Sequence, residues 1–426
     1  MYLKSRTDLD IAQLPSPLPV MGPAGSSIVD PDFGNPIMRA TDETTILLSG
    51  KPSGFITPGL GGSADVNVWN TDSTMLYLQD SGGGGAIFSF DPQTMAVGRL
   101  FPSWRPGGPI LFSRIDPNIC FELRGTQFVR HDLSDRALAV PPEPVPVCDF
   151  ASGLPAATKW DCMGGVEVND TVFTAGFSTT GGQNTGVWAC SYTVGKGYRF
   201  YDTKAGTITG DYGPTGTAII ADRFTVHNCK ASKDGAWLVI ATGENTQDHG
   251  PFFWKIDTTE VRWVGKIAWG GHWTAGYGEF FNMDSNGNLG IPYYAHCRRR
   301  LDYPEGVTRL ANPSPSPPNA MVGCGDHLSI NGPNNSMIVA TTANTGNKEQ
   351  GPFPAPWYNE VLGYDLDGSG RVYRFCHNFT NPKNGNFYSS NAIGVVDQLN
   401  RFVAFCSNWM DTLANKRGDT FIVRLR

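Results

Sequence analysis

Seven histidines stand at 131, 227, 249, 272, 296, 327 and 377, and side chains suited to acid–base or metal chemistry surround several of them. Arg223 lies four residues before His227. His272 opens the segment Gly271-His272-Trp273-Thr274-Ala275-Gly276-Tyr277-Gly278-Glu279. His296 is followed by Arg298, Arg299 and Arg300. Two chemistries suit this set. His227, His272 and His327 can hold a divalent cation (calcium, manganese or zinc), with Glu279 or His296 as a further ligand and a position open for substrate or water. The same residues can instead remove the proton next to a sugar carboxylate. That step needs a cation to neutralise the carboxylate, here Arg223 or Arg298, and a base, here His227, His272 or Tyr277. Asp161, Trp160, Trp273, His249 and Asn391 are the expected substrate contacts, the indoles because their faces suit sugar rings. No GxSxG elbow is present, and no GK[ST] follows the Gly82–Gly85 run, so neither a serine hydrolase nor a phosphate cradle is expected. No organic cofactor is implied.

Side chains so far apart in the chain meet only if the elements that carry them converge. Helical periodicity is almost absent. A short strand, a tight polar turn and a second apolar strand recur seven times, and such repeats mark an array or a propeller. The clearest copy is His227-Asn228-Cys229-Lys230-Ala231-Ser232-Lys233-Asp234-Gly235-Ala236-Trp237-Leu238-Val239-Ile240. The turns anchor at 72, 116, 169, 234, 286, 334 and 400, giving gaps of 44, 53, 65, 52, 48 and 66 residues. Propeller blades repeat at about 40–50 residues, and insertions lengthen some of them. In most copies further strand-like runs follow. The pattern predicts an all-β fold: one seven-bladed β-propeller of four-stranded antiparallel blades over residues 33–426, after an N-terminal extension, 1–32. The last unit lacks its outer strand. An N-terminal strand, Thr44 to Leu48, is expected to supply it and close the ring.

If the innermost strands start at the upper face, that face gathers six of the seven histidines, all but His131. In the fifth blade Glu279-Phe280-Phe281 reads as the innermost strand, turning at Asn286. His227, His272 and His327 are then expected to share one pocket at the upper mouth.

Composition narrows the partners. With 40% hydrophobic residues the chain can bury a large core, which excludes a disordered protein. A net charge of -6 gives no basic footprint for nucleic acid. No apolar run approaches the roughly 18 residues of a membrane span. Nine scattered cysteines without a CxxC exclude a zinc ribbon. Sequons at Asn169, Asn334 and Asn378, with the abundance of Gly, Asn and aromatic residues, point to a secreted, monomeric glycoprotein.

A secreted seven-bladed propeller with His227, His272, Tyr277, His327 and an arginine at one mouth resembles the propeller polysaccharide lyases. These are the oligogalacturonate, ulvan and rhamnose–glucuronate lyases. The resemblance implies β-elimination on a uronate-containing polysaccharide or oligosaccharide. The closely spaced histidine pair of the oligogalacturonate lyases is not found. A carbohydrate-binding propeller without catalysis, or another histidine-ligated metal enzyme, is the alternative.

Overall fold

The computed structural model describes residues 4–45, 56–59, 66–80, 83–155, 158–167, 169–180, 185–220, 223–242, 251–265, 273–284, 295–311, 324–344, 353, 356–381, 392–413 and 417–426. They form seven antiparallel sheets arranged as the blades of a β-propeller, and no α-helix occurs among them. Blades one, two, four, five and six have four strands each. Blade three has six, because Thr207–Gly210 and Gly216–Thr217 extend its outer edge. No helix is long and apolar enough to cross a membrane.

Two local features of the sequence produce this repeat. The second strands are almost wholly buried, and Trp237–Thr242 and Phe402–Ser407 are buried at every residue. Each blade is covered on both faces by its neighbours, so these strands are continuous apolar runs and not alternating ones. In every blade but the second, the turn after the innermost strand takes left-handed backbone, which short hairpin connections favour. Ser73, Asn169, Asp170, Gly235, Gly278, Asn334 and Asn400 supply it, all with φ between 53° and 67°.

The ring closes through its N-terminus, as expected, but with an earlier segment. Pro36–Arg39 pairs with the third strand of blade seven, Asp419–Arg424, and Ser27–Val29 pairs outside it. Of the expected strand, Thr44 and Thr45 instead donate to the Asp42 carboxylate in a turn, and 46–48 lie outside the described residues. Proximity to the Asp42 carboxylate explains the difference: the Thr44 N–H and hydroxyl at 2.9 and 2.6 Å commit that segment to a local turn. The residues before Ser27 also pack on the ring. Arg6 bridges Arg374 of blade six, Gln13 exchanges two hydrogen bonds with Phe353, and Pro19 accepts from the Trp409 indole at 2.9 Å.

Blade five is shifted by one strand from its expected register. Its innermost strand is Trp273–Ala275, the turn spans 276–278, and Glu279–Asp284 is the second strand. Gly278 takes φ 67°, and Asn335 clamps the turn from blade six by accepting the Tyr277 N–H at 2.8 Å and donating to its carbonyl at 2.9 Å. That turn lacks an Asn or Asp of its own, so its sequence resembles a link between blades.

Among the described residues, Cys120, Cys148, Cys190, Cys229, Cys297, Cys376 and Cys406 are all buried. Of the three sequons, Asn169 and Asn334 are exposed on the turns, whereas the Asn378 amide is buried and donates to the Thr342 carbonyl at 2.6 Å.

Candidate functional site

The innermost strands start at the upper mouth of the channel and reverse at the lower one. A cavity of about 560 Å³ opens at the lower mouth, where every blade contributes to its wall. Thr71 comes from blade one, Arg114 from two, Glu167 and Asn169 from three, Lys233 from four, Tyr277 from five and Asn331 from six. Gln398 and Leu399 complete the wall from blade seven.

Its floor is ionic. Arg114 Nη2 donates to Glu167 Oε1 at 2.9 Å, and Lys233 Nζ donates to the same oxygen at 2.7 Å. All three side chains are nearly buried, 10%, 8% and 5% exposed respectively. Two cations therefore converge on one carboxylate at the floor, while Asp234 adds a second carboxylate to the cavity wall. Attraction between groups so shielded from water is stronger than at an open surface. Second contacts fix each partner. Arg114 also donates to Asn331 Oδ1 at 3.2 Å, and its backbone N–H donates to Asp170 Oδ1 at 2.7 Å. The Lys233 backbone N–H donates to the Gly276 carbonyl. Asn331 is held by the Val396 carbonyl, and Gln398 bridges the Trp69 and Ser113 carbonyls at 2.9 and 3.0 Å. The amides thus lock neighbouring blades together and set the shape of the floor.

Beside it the Tyr277 ring is 38% exposed. Glu279, two residues on, accepts from Asn335 Nδ2 at 2.9 Å. Burial pushes the Glu279 carboxyl above the usual carboxylate range, against the charges of Arg298 and Arg300.

The residues expected at one upper pocket are dispersed. His227 is the second residue of Val226–Ala231, half-buried at a bulge near the upper end of blade four's innermost strand. His327 lies deeper in blade six's innermost strand and is buried. His272, His249 and Asn391 lie outside the described residues, as do the side chains of Trp160 and Asp161, whose backbone belongs to the innermost strand of blade three. Tyr277 is at the lower mouth, opposite His227, because blade five reverses at Gly278. Arg223 is exposed against Gly206, in the outer hairpin turn of blade three, and not at the channel. Arg298 belongs to the third strand of blade five and reaches the Leu366 carbonyl of blade six at 3.3 Å. Strand alternation carries it outward to the seam between blades. Trp273 is no open platform. It is 4% exposed, packed on Phe280 at 5.7 Å between ring centroids, with Lys230 Nζ 5.7 Å from its ring.

Other histidines serve the framework. His131 bonds Glu122 at 2.7 Å, and His296 Nδ1 meets the Tyr364 hydroxyl at 2.5 Å. His377 sits under the N-terminal segment against Asp30. Among the described residues, the group with three metal-ligand atoms within 4.8 Å of one another is Asp30, Asp32 and His377. Asp30 is already engaged there by backbone N–H groups of Asp32, Phe33 and His377.

Arg114, Glu167 and Lys233 were not among the expected site residues. A usable signal was present: each lies one or two positions before a turn anchor, at 116, 169 and 234. Reading the repeat for its strand starts selected the histidines, and reading it for its strand ends selects the cavity.

No family model matches the chain, and no curated protein matches it. Solved structures similar to it include three propellers. The Neurospora crassa Pan2 WD40 domain is 10% identical with a TM-score of 0.45, over 86% of this chain and 90% of that one. The WD40 domain from Toxoplasma gondii coronin is 10% identical with a TM-score of 0.41, over 98% and 89%. A putative TolB from Agrobacterium tumefaciens is 12% identical with a TM-score of 0.36, over 79% and 96%.

Proposed function

We propose that this propeller binds a uronate-bearing saccharide in the lower channel cavity, with Arg114 and Lys233 taking the sugar carboxylate. The observation that carries this reading is the convergence of those two cations, from blades two and four, on a single oxygen inside a cavity of about 560 Å³. A cavity of that size admits a sugar unit and keeps water from screening the charges. The partly exposed Tyr277 ring offers an apolar face, and Thr71 and Asn169 offer polar groups for hydroxyls. The test is calorimetric titration with glucuronate and galacturonate oligosaccharides against neutral glucose oligomers. Binding of the acidic sugars alone, lost in Arg114→Ala, is expected. Equal binding of neutral oligomers would remove the carboxylate from the reading.

β-Elimination is the second reading, favoured by Tyr277 lining the same cavity as the cations. Arg114 and Lys233 would neutralise the carboxylate and so acidify the proton beside it, and Tyr277, acting as its phenolate, would take that proton. The glycosidic oxygen would depart with the bonding pair and take up the proton then held by Tyr277, while a double bond forms within the uronate ring. Ultraviolet absorbance with pectin, ulvan, alginate, gum arabic and glucuronan tests this. A saturated product would exclude elimination.

A further inference from the structure

We propose that Glu167 is a built-in competitor for the ligand: its carboxylate occupies the place that a bound uronate carboxylate would take. This rests on the carboxylate-binding reading above. Both cations donate to Glu167 Oε1, so the position where an incoming anion gains most is already filled by a carboxylate of the chain itself.

Arg114 has side-chain contacts besides Glu167 that hold it in place, and the Lys233 backbone is anchored independently of that carboxylate. Arg114 reaches the Asn331 carbonyl at 3.5 Å and its side-chain oxygen at 3.2 Å, and its backbone is pinned by Asp170. Lys233 is pinned through its backbone N–H to Gly276, across to blade five. Arg114 Nε, moreover, is buried without an acceptor. Such an orphan donor costs free energy unless something accepts from it. The site therefore holds more donor capacity than Glu167 uses.

Glu167 ends the innermost strand of blade three, Lys159–Glu167. Its neighbours Asn169 and Asp170 take left-handed backbone, with φ of 53° and 62°. The carboxylate is thus delivered at the strand end, where a rotamer change can withdraw it without disturbing the sheet. A ligand anion arriving while it stays meets like-charge repulsion, and one that displaces it must replace both hydrogen bonds. Either way the wild-type protein binds more weakly than the bare cation pair would. The internal carboxylate selects for ligands whose own carboxylate is held in place by further sugar contacts, and against small free anions such as acetate.

The experiment titrates the full chain and its variants with a glucuronate trisaccharide, with acetate and neutral glucose trisaccharide as controls. Glu167→Gln, which keeps the shape and removes the charge, is expected to bind the glucuronate trisaccharide about tenfold more tightly than wild type and to gain measurable acetate binding. Glu167→Asp, which keeps the charge and draws it back by one methylene, is expected to fall between the two. It also serves if the glutamine variant does not fold. Wild-type binding that Arg114→Ala abolishes, with no gain in either Glu167 variant, overturns the competitor while leaving the binding site standing. Absence of binding in wild type and in both Glu167 variants overturns the binding site itself.

Discussion

Arg39 Nη2 donates to Asp419 Oδ2 at 2.6 Å across the seam where the ring closes, both side chains being almost fully buried. The contact joins the strand Pro36–Arg39 to the strand that it covers, Asp419–Arg424. Thr41 and Arg417 bond the other oxygen of the same carboxylate at 3.2 and 2.9 Å. The seam is thus fastened by ion pairing as well as by strand hydrogen bonds. Removing Arg39 would leave the buried Asp419 carboxylate with Arg417 as its remaining cation and without one charge-assisted hydrogen bond.

Arg39→Ala is therefore expected to lower unfolding free energy by about 1.5–3 kcal/mol, since Arg417 still pairs with Asp419. Deleting residues 1–39 should do more, because it also bares a sheet edge. Urea denaturation read by tryptophan fluorescence checks both. Wild-type midpoints in the truncated chain would show that the ring does not rely on this strand.

Lys233→Met keeps the side-chain volume and leaves Glu167 with Arg114 alone. Uronate binding should fall at least about tenfold, since one of two charge-assisted contacts is gone. Isothermal titration reads the affinity. Circular dichroism separates lost binding from lost fold. Tyr277→Phe should keep binding while abolishing any eliminase activity, because it removes the hydroxyl and leaves the ring. Retained elimination in this variant would place the base elsewhere.

His377 Nδ1 lies 3.2 Å from Asp30 Oδ2, joining blade six to the N-terminal segment. Burial works against the charged imidazole, but the Asp30 carboxylate, the Glu360 charge and the Ala12 carbonyl outweigh it and raise the pKa above the ordinary histidine value. A group whose folded pKa is raised stabilises most fully below its unfolded value of about 6.5 and loses that contribution as pH rises through the folded value. Unfolding free energy should accordingly decline as pH rises above about 6.5. His377→Gln should flatten that decline in denaturation series across pH.

In the proposed site the charge facing a carboxylate comes from Arg114 and Lys233. Chelation with EDTA should therefore leave uronate affinity unchanged. Affinity that vanishes on chelation and returns with calcium, manganese or zinc would show that a bound cation, and not the Arg114 and Lys233 pair alone, takes the carboxylate.

The seven-fold repeat was legible in the sequence because it is written in local features. Left-handed turn residues such as Asn169, Asn334 and Asn400 recur before runs such as Phe402–Ser407, whose burial on both faces removes any alternation. Each feature is specified within a few residues, so pattern alone recovers it. Blade five escaped that reading because its turn is completed by Asn335 of the next blade. That single clamp decides that Tyr277 stands at the lower mouth while His227 stands near the upper. Tertiary structure alone brought Arg114 and Lys233 to Glu167, from positions 53 and 66 residues away. Their meeting depends on the number of blades and on the curvature with which the ring closes. No segment of the chain encodes those by itself, since they arise from how all seven sheets pack around a common axis.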